Sequence, residues 1–193
     1  MMRMHKLTLA VLAILGFASC DNESTPRPFG YMRIDLPSTE YAPVQMASDC
    51  PYTFDMNTEA EWAEDKGGTC WGDVNYPSIK AQIQLTYKDL NTVDFGELLD
   101  EVHDLAYKHT VRADGIRDEV FSNAKHDVYG LLYRMKGEAA TTTQFFVTDS
   151  TDHFLRGVVY FYASPNPDSL KPVDEFMANE VVKMMESTRW KNK

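Results

Sequence analysis

The stretch VYGLLYRMKGEAATTTQFFVTDSTDHFLRGVVYF, residues 128–161, decides the fold. Three runs rich in β-branched and aromatic residues, 128–135, 142–148 and 154–162, are separated by short polar connections at 136–140 and 150–153. Connections of that length join neighbouring antiparallel strands, so the segment reads as a meander. In the last run Phe154, Val158, Tyr160 and Tyr162 alternate with Leu155, Val159 and Phe161. Both faces are apolar, and each therefore needs a cover.

Helical patterns on either side can supply the covers. Pro172 suits a first helical turn, and Val173, Phe176, Met177, Val181 and Met184 follow at i, i+3, i+4 spacing. Upstream, Thr92 or Asp94 can cap a second helix, with Glu97 and Asp100 near its positive end and Leu98, Leu99, Val102, Leu105 and Ala106 forming an apolar stripe. Before it, 79–87 alternates Ile79, Ala81, Ile83, Leu85 and Tyr87 against Lys80, Gln82, Gln84 and Thr86, the pattern of a strand buried on one face. Shorter strands are expected at 29–36, stopped by Pro37, and at 52–56; the polar, Gly-containing 57–76 is the segment most in need of a staple. The expected fold is α+β: one domain over 29–193, an antiparallel sheet flanked by helices. The order of its last elements resembles the Mog1/PsbP fold, a likeness that carries no function.

The first 20 residues are of another kind. Arg3 and Lys6 precede an apolar run at 7–15, and the small-residue tail Gly16, Phe17, Ala18, Ser19 leads into Cys20. This is the pattern of a lipoprotein signal peptide over 1–19, with Cys20 as lipid acceptor and new first residue. The apolar run is too short to span a bilayer. Phe17 departs from the usual smaller aliphatic residue three places before the cysteine. Residues 20–28, holding charge, Pro and Ser, read as a lipidated tether.

Of three cysteines, acylation of Cys20 leaves Cys50 and Cys70 as an even pair. In an oxidising cell envelope a disulfide across the polar 57–76 segment is the natural reading, with two buried free thiols as the alternative. Closing a loop of about 20 residues stabilises by roughly 3 kcal/mol in the chain-entropy model. Cleavage after residue 19 leaves 174 residues and, by removing Arg3 and Lys6, takes the net charge from −10 to −12. Nucleic acid is then a poor partner, and membrane attachment must come through the acyl chains on Cys20.

Sequence signatures of catalysis are absent: there is no Gly-x-Ser-x-Gly, no His-Glu-x-x-His, no phosphate-cradling Gly-rich loop and no EF-hand spacing. His103 and His109, six apart, fall on different faces of a helix and make no metal pair. Asp149, Ser150, Asp152 and His153 gather triad-type residues, but a hairpin turn wants the same small polar side chains. No catalytic residue, metal or cofactor is expected. Arg33, Lys108, His109, Arg112 and Arg156 stand beside apolar strands and a helix. They form a candidate docking surface for another envelope protein, against the plainer alternatives of surface solvation, internal ion pairing and complementing a helix C-terminus.

The phrases RPFGYMRIDLP (27–37), CPYTF (50–54), YPSIKAQIQLTYK (76–88), AYKHTVRADGI (106–116), 128–161 and SPNPDSLKPV (164–173) together resemble the gliding-motility lipoprotein GldD family over nearly the whole mature domain. That resemblance implies a lipid-anchored envelope protein needed for gliding and associated with the type IX secretion apparatus, with relatives in non-gliding species and no established catalytic residues to transfer. Only Cys20 carries over as a functional position. The expected role is a non-catalytic assembly or interaction component whose partners are other envelope proteins. The alternative is a lipoprotein that binds a peptide, glycan or small apolar molecule. The expected location is the periplasmic face of the outer membrane, with the inner membrane and the cell surface left open by Asp21.

Overall fold

Alternating apolar residues build the centre of the molecule. The computed structural model describes residues 34–46, 49–67, 69–108, 113–137, 141–162 and 167–191. In chain order the elements are β1 (Tyr41–Pro43), β2 (Tyr52–Thr53), β3 (Asp55–Asn57), β4 (Glu61–Glu64), β5 (Gly72–Tyr76), β6 (Ala81–Asp89), α1 (Phe95–Lys108), β7 (Ala113–Asn123), β8 (Val128–Gly137), β9 (Thr143–Thr148), β10 (His153–Phe161), α2 (Pro167–Ser187) and β11 (Arg189–Trp190). Seven strands pair antiparallel in the order β4-β5-β6-β10-β9-β8-β7; β1 pairs with β3, and β11 with β2. The architecture is α+β, and the described residues lie in one compact unit.

The two apolar faces of β10 receive different covers. Leu155 and Val159 join Ile83, Leu85, Phe145 and Val147 in a large core closed by Val173, Met177, Val181 and Met184 of α2. Phe154 on the opposite face joins Phe146, Tyr133 and the stripe Leu98, Val102 and Ala106 of α1. Asp94 caps α1 as expected: its Oδ1 accepts from Glu97 N at 2.9 Å and its carbonyl from Leu98 N at 3.1 Å. Gly157 lets the sheet close here, because a Cβ on it would run into the Phe145 ring and come within 3.0 Å of Leu85.

Several expectations need correction. Residues 57–76, where no strand is expected from the sequence, hold β4 and β5, a hairpin with Trp62 opposite Val74 and Glu64 opposite Gly72. The strand over 79–87 starts at Ala81, since Pro77–Ile79 make a 3-10 turn that leaves Lys80 at φ 52°. β7 had no counterpart in the reading of the sequence and adds a long edge strand beside β8. Pro172 lies inside α2, which begins at Pro167. A proline there forfeits one helical N–H bond, and the apolar anchoring of the following turns holds the helix together. Of the strand expected at 29–36, residues 34–36 are not in a strand and the rest lies outside the described residues. The strand expected at 52–56 is two short ones, β2 and β3, in different pairings.

Cys50 and Cys70 form a disulfide, with Cα atoms 5.5 Å apart. It ties the start of β2 to the approach of β5, and Tyr52 Oη donates to the Cys70 carbonyl at 2.7 Å across the same junction. Glu180 of α2, buried, accepts from Tyr41 Oη at 2.7 Å and Tyr76 Oη at 2.8 Å. The N-terminal strands are thus fastened to the last helix.

Candidate functional site

The side of the sheet that faces α2 carries a row of six rings. Trp62 meets Phe54 edge-on at 6.0 Å; Phe54 stacks near Tyr52 at 6.3 Å; Tyr52 stacks on Tyr87 at 5.6 Å. Tyr87 then meets His153 at 6.0 Å, and His153 stacks on Trp190 at 5.0 Å. Alternation in register explains the row, because Trp62, Tyr87 and His153 all fall on one face of their strands. Aromatic pairs of this kind contribute about 0.5–1.5 kcal/mol beyond their buried area.

The row ends at an open cleft of about 680 Å³ at one end of the sheet. Its walls come from three places: His126 and Asp127 at the β7–β8 turn, Asp149, Thr151, Asp152 and His153 at the β9–β10 turn, and Arg189 and Trp190 of β11. The register that sets Tyr129 opposite Thr148 brings the two turns together, and β11 arrives by pairing with β2.

Each wall group is held by its own contacts. Asp149 Oδ1 accepts from the backbone N–H groups of Thr151 at 3.0 Å, Asp152 at 2.9 Å and His153 at 2.8 Å. Burial pushes this carboxyl up, but the three N–H donors and the His153 ring outweigh it and leave it below the usual carboxylate range. Trp190 Nε1 donates to the Asp127 carbonyl at 2.9 Å. Arg189 Nη1 donates to the carbonyls of Glu186 at 2.9 Å and Thr188 at 2.7 Å, complementing the negative end of α2. Burial, reinforced by Asp89, Asp149 and Asp152, pushes the Tyr87 phenol up to about 12. Tyr87 therefore keeps its proton, and its Oη shares a hydrogen bond with His153 Nδ1 at 2.8 Å.

The Asp149 to His153 segment is the expected turn. Ser150 sits at φ 67° and its N–H donates to Thr148 Oγ1 at 2.9 Å. His153 addresses Tyr87, and the Asp149 carboxylate is spent on backbone, so Ser150, His153 and Asp149 are not assembled as a triad. Among the described residues no group of three or more His, Cys, Asp or Glu is arranged to hold a metal ion.

The candidate docking residues are only partly in view. Arg33, His109 and Arg112 lie outside the described residues, as does Cys20. Lys108 is exposed in the last turn of α1. Arg156 is half-buried on the α1 side of the sheet. Its Nη2 donates to Gln144 Oε1 at 2.8 Å, its Nε has no hydrogen-bond partner among the described residues, and burial lowers the guanidinium pKa. His126, Asp127, Arg189 and Trp190 were not singled out by the sequence reading, because nothing local marks them; only the strand pairing brings them to the Asp149 turn.

A search of curated proteins returns no match. Among the described residues no helix is long and apolar enough to cross a membrane. A family model described as gliding motility lipoprotein GldD matches residues 21–190, from the residue after Cys20 through the cleft tryptophan. The chain thus belongs to the gliding motility lipoprotein GldD family, whose members are lipid-anchored proteins of the cell envelope.

Proposed function

We propose that this protein is a non-catalytic assembly component of the gliding motility and type IX secretion machinery, held to the membrane by acyl chains on Cys20. The observation that carries the reading is the family match over residues 21–190, which begins directly after the cysteine of a lipoprotein signal pattern. Two or more acyl chains are sufficient for stable anchoring without a membrane-binding protein surface. The expected location is the periplasmic face of the outer membrane. The disulfide between Cys50 and Cys70 suits that oxidising compartment.

Partner contact falls to the cationic positions on an otherwise acidic chain. Arg156 supports this role, since its half-buried guanidinium, bonded to the neutral amide of Gln144, can take an incoming carboxylate. Arg33, Lys108, His109 and Arg112 complete the proposed set. In-cell cross-linking of the lipidated protein, with purification and mass spectrometry against Cys20→Ala, tests the reading. Recovery of gliding or secretion components only from the lipidated form supports it. Unchanged partners after charge reversal at Arg112 and Arg156 remove the docking surface, and recovery of no envelope protein removes the assembly role.

A further inference from the structure

The cleft at the end of the ring row has a composition that neither an assembly role nor the core requires. We propose that it is a carbohydrate-binding site, taking an oligosaccharide through Trp190 and the planar polar groups of Asp127, Asp152, Arg189 and His126. Its volume of about 680 Å³ lies within the roughly 300–1,000 Å³ of small-ligand sites. Its lining is unlike that of an apolar-ligand pocket, because none of its described side chains is aliphatic. Sugar hydroxyls both donate and accept, and neighbouring pairs match the two-atom edge of a carboxylate or guanidinium. The cleft offers both kinds of edge, Asp127 and Asp152 as acceptors and Arg189 as donor. The C–H face of a pyranose ring is apolar and packs on an indole, which Trp190 presents beside these groups. A basic peptide would meet Arg189 in the same space, and Asp149 Oδ1 is already saturated by three N–H groups.

Three of the recognition groups, Trp190, Asp152 and Arg189, are also held before any ligand arrives. The indole is pinned by its bond to Asp127, its stack on His153 and the pairing of Trp190 with Tyr52. Asp152 Oδ1 accepts from Asn91 Nδ2 at 2.9 Å, and Arg189 is held by two carbonyls. Groups ordered in advance lose little entropy on binding, which suits a weakly interacting, hydrated ligand.

The test uses the full lipidated protein in lauryldimethylamine oxide, a detergent with no sugar headgroup. It is applied to printed arrays of β-1,4-linked N-acetylglucosamine, mannose and rhamnose oligosaccharides and of Lys/Arg-rich peptides, and retained sugars are titrated by isothermal calorimetry. The expected result is retention of at least one sugar. Trp190→Phe, which keeps a ring on His153, and Asp152→Asn, which keeps an acceptor for Asn91, should each weaken binding tenfold or more, Asp152→Asn with unchanged thermal unfolding and Trp190→Phe with a cooperative unfolding transition lowered only by the lost bond to Asp127. Val120→Ser, on the exposed edge of β7, should leave it unchanged. Retention of basic peptides alone, retention of no sugar above a heat-denatured control, or binding indifferent to both cleft variants would overturn the proposal.

Discussion

At the scale of single residues, two positions have consequences that can be measured. Gly130 faces the neighbouring strand so closely that a Cβ would run into the Phe146 carbonyl oxygen, with the carbonyl carbon at 2.9 Å and Val147 Cα at 3.1 Å. Those are backbone atoms of β9 and cannot swing aside. Gly130→Ala should therefore destabilise by about 1–3 kcal/mol, the cost of overpacking, and denaturant unfolding will show whether it does. The second position is Glu180. Burial, the hydrogen bond to Glu180 and its charge push the Tyr41 phenol up to about 12, and burial with the same carboxylate pushes Tyr76 higher still. Unfolded tyrosine titrates near 10. The stabilisation from keeping these phenols protonated is complete below pH 10 and is lost as pH rises through about 12. Thermal unfolding between pH 9 and pH 12 should show Tm falling across that window. In Tyr41→Phe the fall should be shallower, and the ultraviolet titration should lose one late-ionising phenol.

At the scale of elements, α1 is a cover for one face of the meander, and its cap is open to test. Asp94→Ala removes the acceptor for Glu97 N, which should cost about 1 kcal/mol and lower Tm by about 2–4 °C in a domain of this size. The cap, the stripe and the three strands of the meander were legible in the sequence because each is a local pattern: a polar residue before a 3.6 period, or a run of alternating apolar residues. What escaped was polar or interrupted. In β7, Arg117, Asp118 and Glu119 interrupt the alternation, as an edge strand with a solvated side permits, so the strand reads as a charged connection. The β4–β5 hairpin escaped because its strands are four and five residues long and its apolar positions, Trp62, Val74 and Tyr76, find their neighbours only across the sheet. Pro172 drew the start of α2 inward because a proline usually marks a first turn; packing of Val173, Met177 and Val181 overrode that preference. The cleft fared similarly. The Asp149 turn was legible, whereas its opposite walls lie more than twenty residues away on one side and more than thirty on the other.

At the scale of the whole molecule, the C-terminal strand β11 and the segment 51–55 hold one another. Trp190 and Arg189 pair with Tyr52 and Thr53, Lys191 N donates to the Pro51 carbonyl at 2.8 Å, and Asp55 N donates to Ser187 Oγ at 2.9 Å. The disulfide fixes the same segment from the other side through Cys50. Deleting residues 189–193 removes the pairing, the last ring of the aromatic row and one wall of the cleft. Lost burial and hydrogen bonds of this size come to about 2–4 kcal/mol, and Cys50→Ser/Cys70→Ser should cost roughly 3 kcal/mol. Because both devices tether residues 50–53, releasing that segment by one route leaves less for the other to lose. The combined variant should therefore be destabilised by less than the sum of the two, by more than about 0.5 kcal/mol, which is the margin within which independent sites add. Chemical denaturation of the four proteins of this cycle measures the difference. Additivity within that margin would mean that the tail and the disulfide act on separate parts of the fold, and that β2 is held by the core packing of Tyr52 and Phe54 rather than by its pairing with β11.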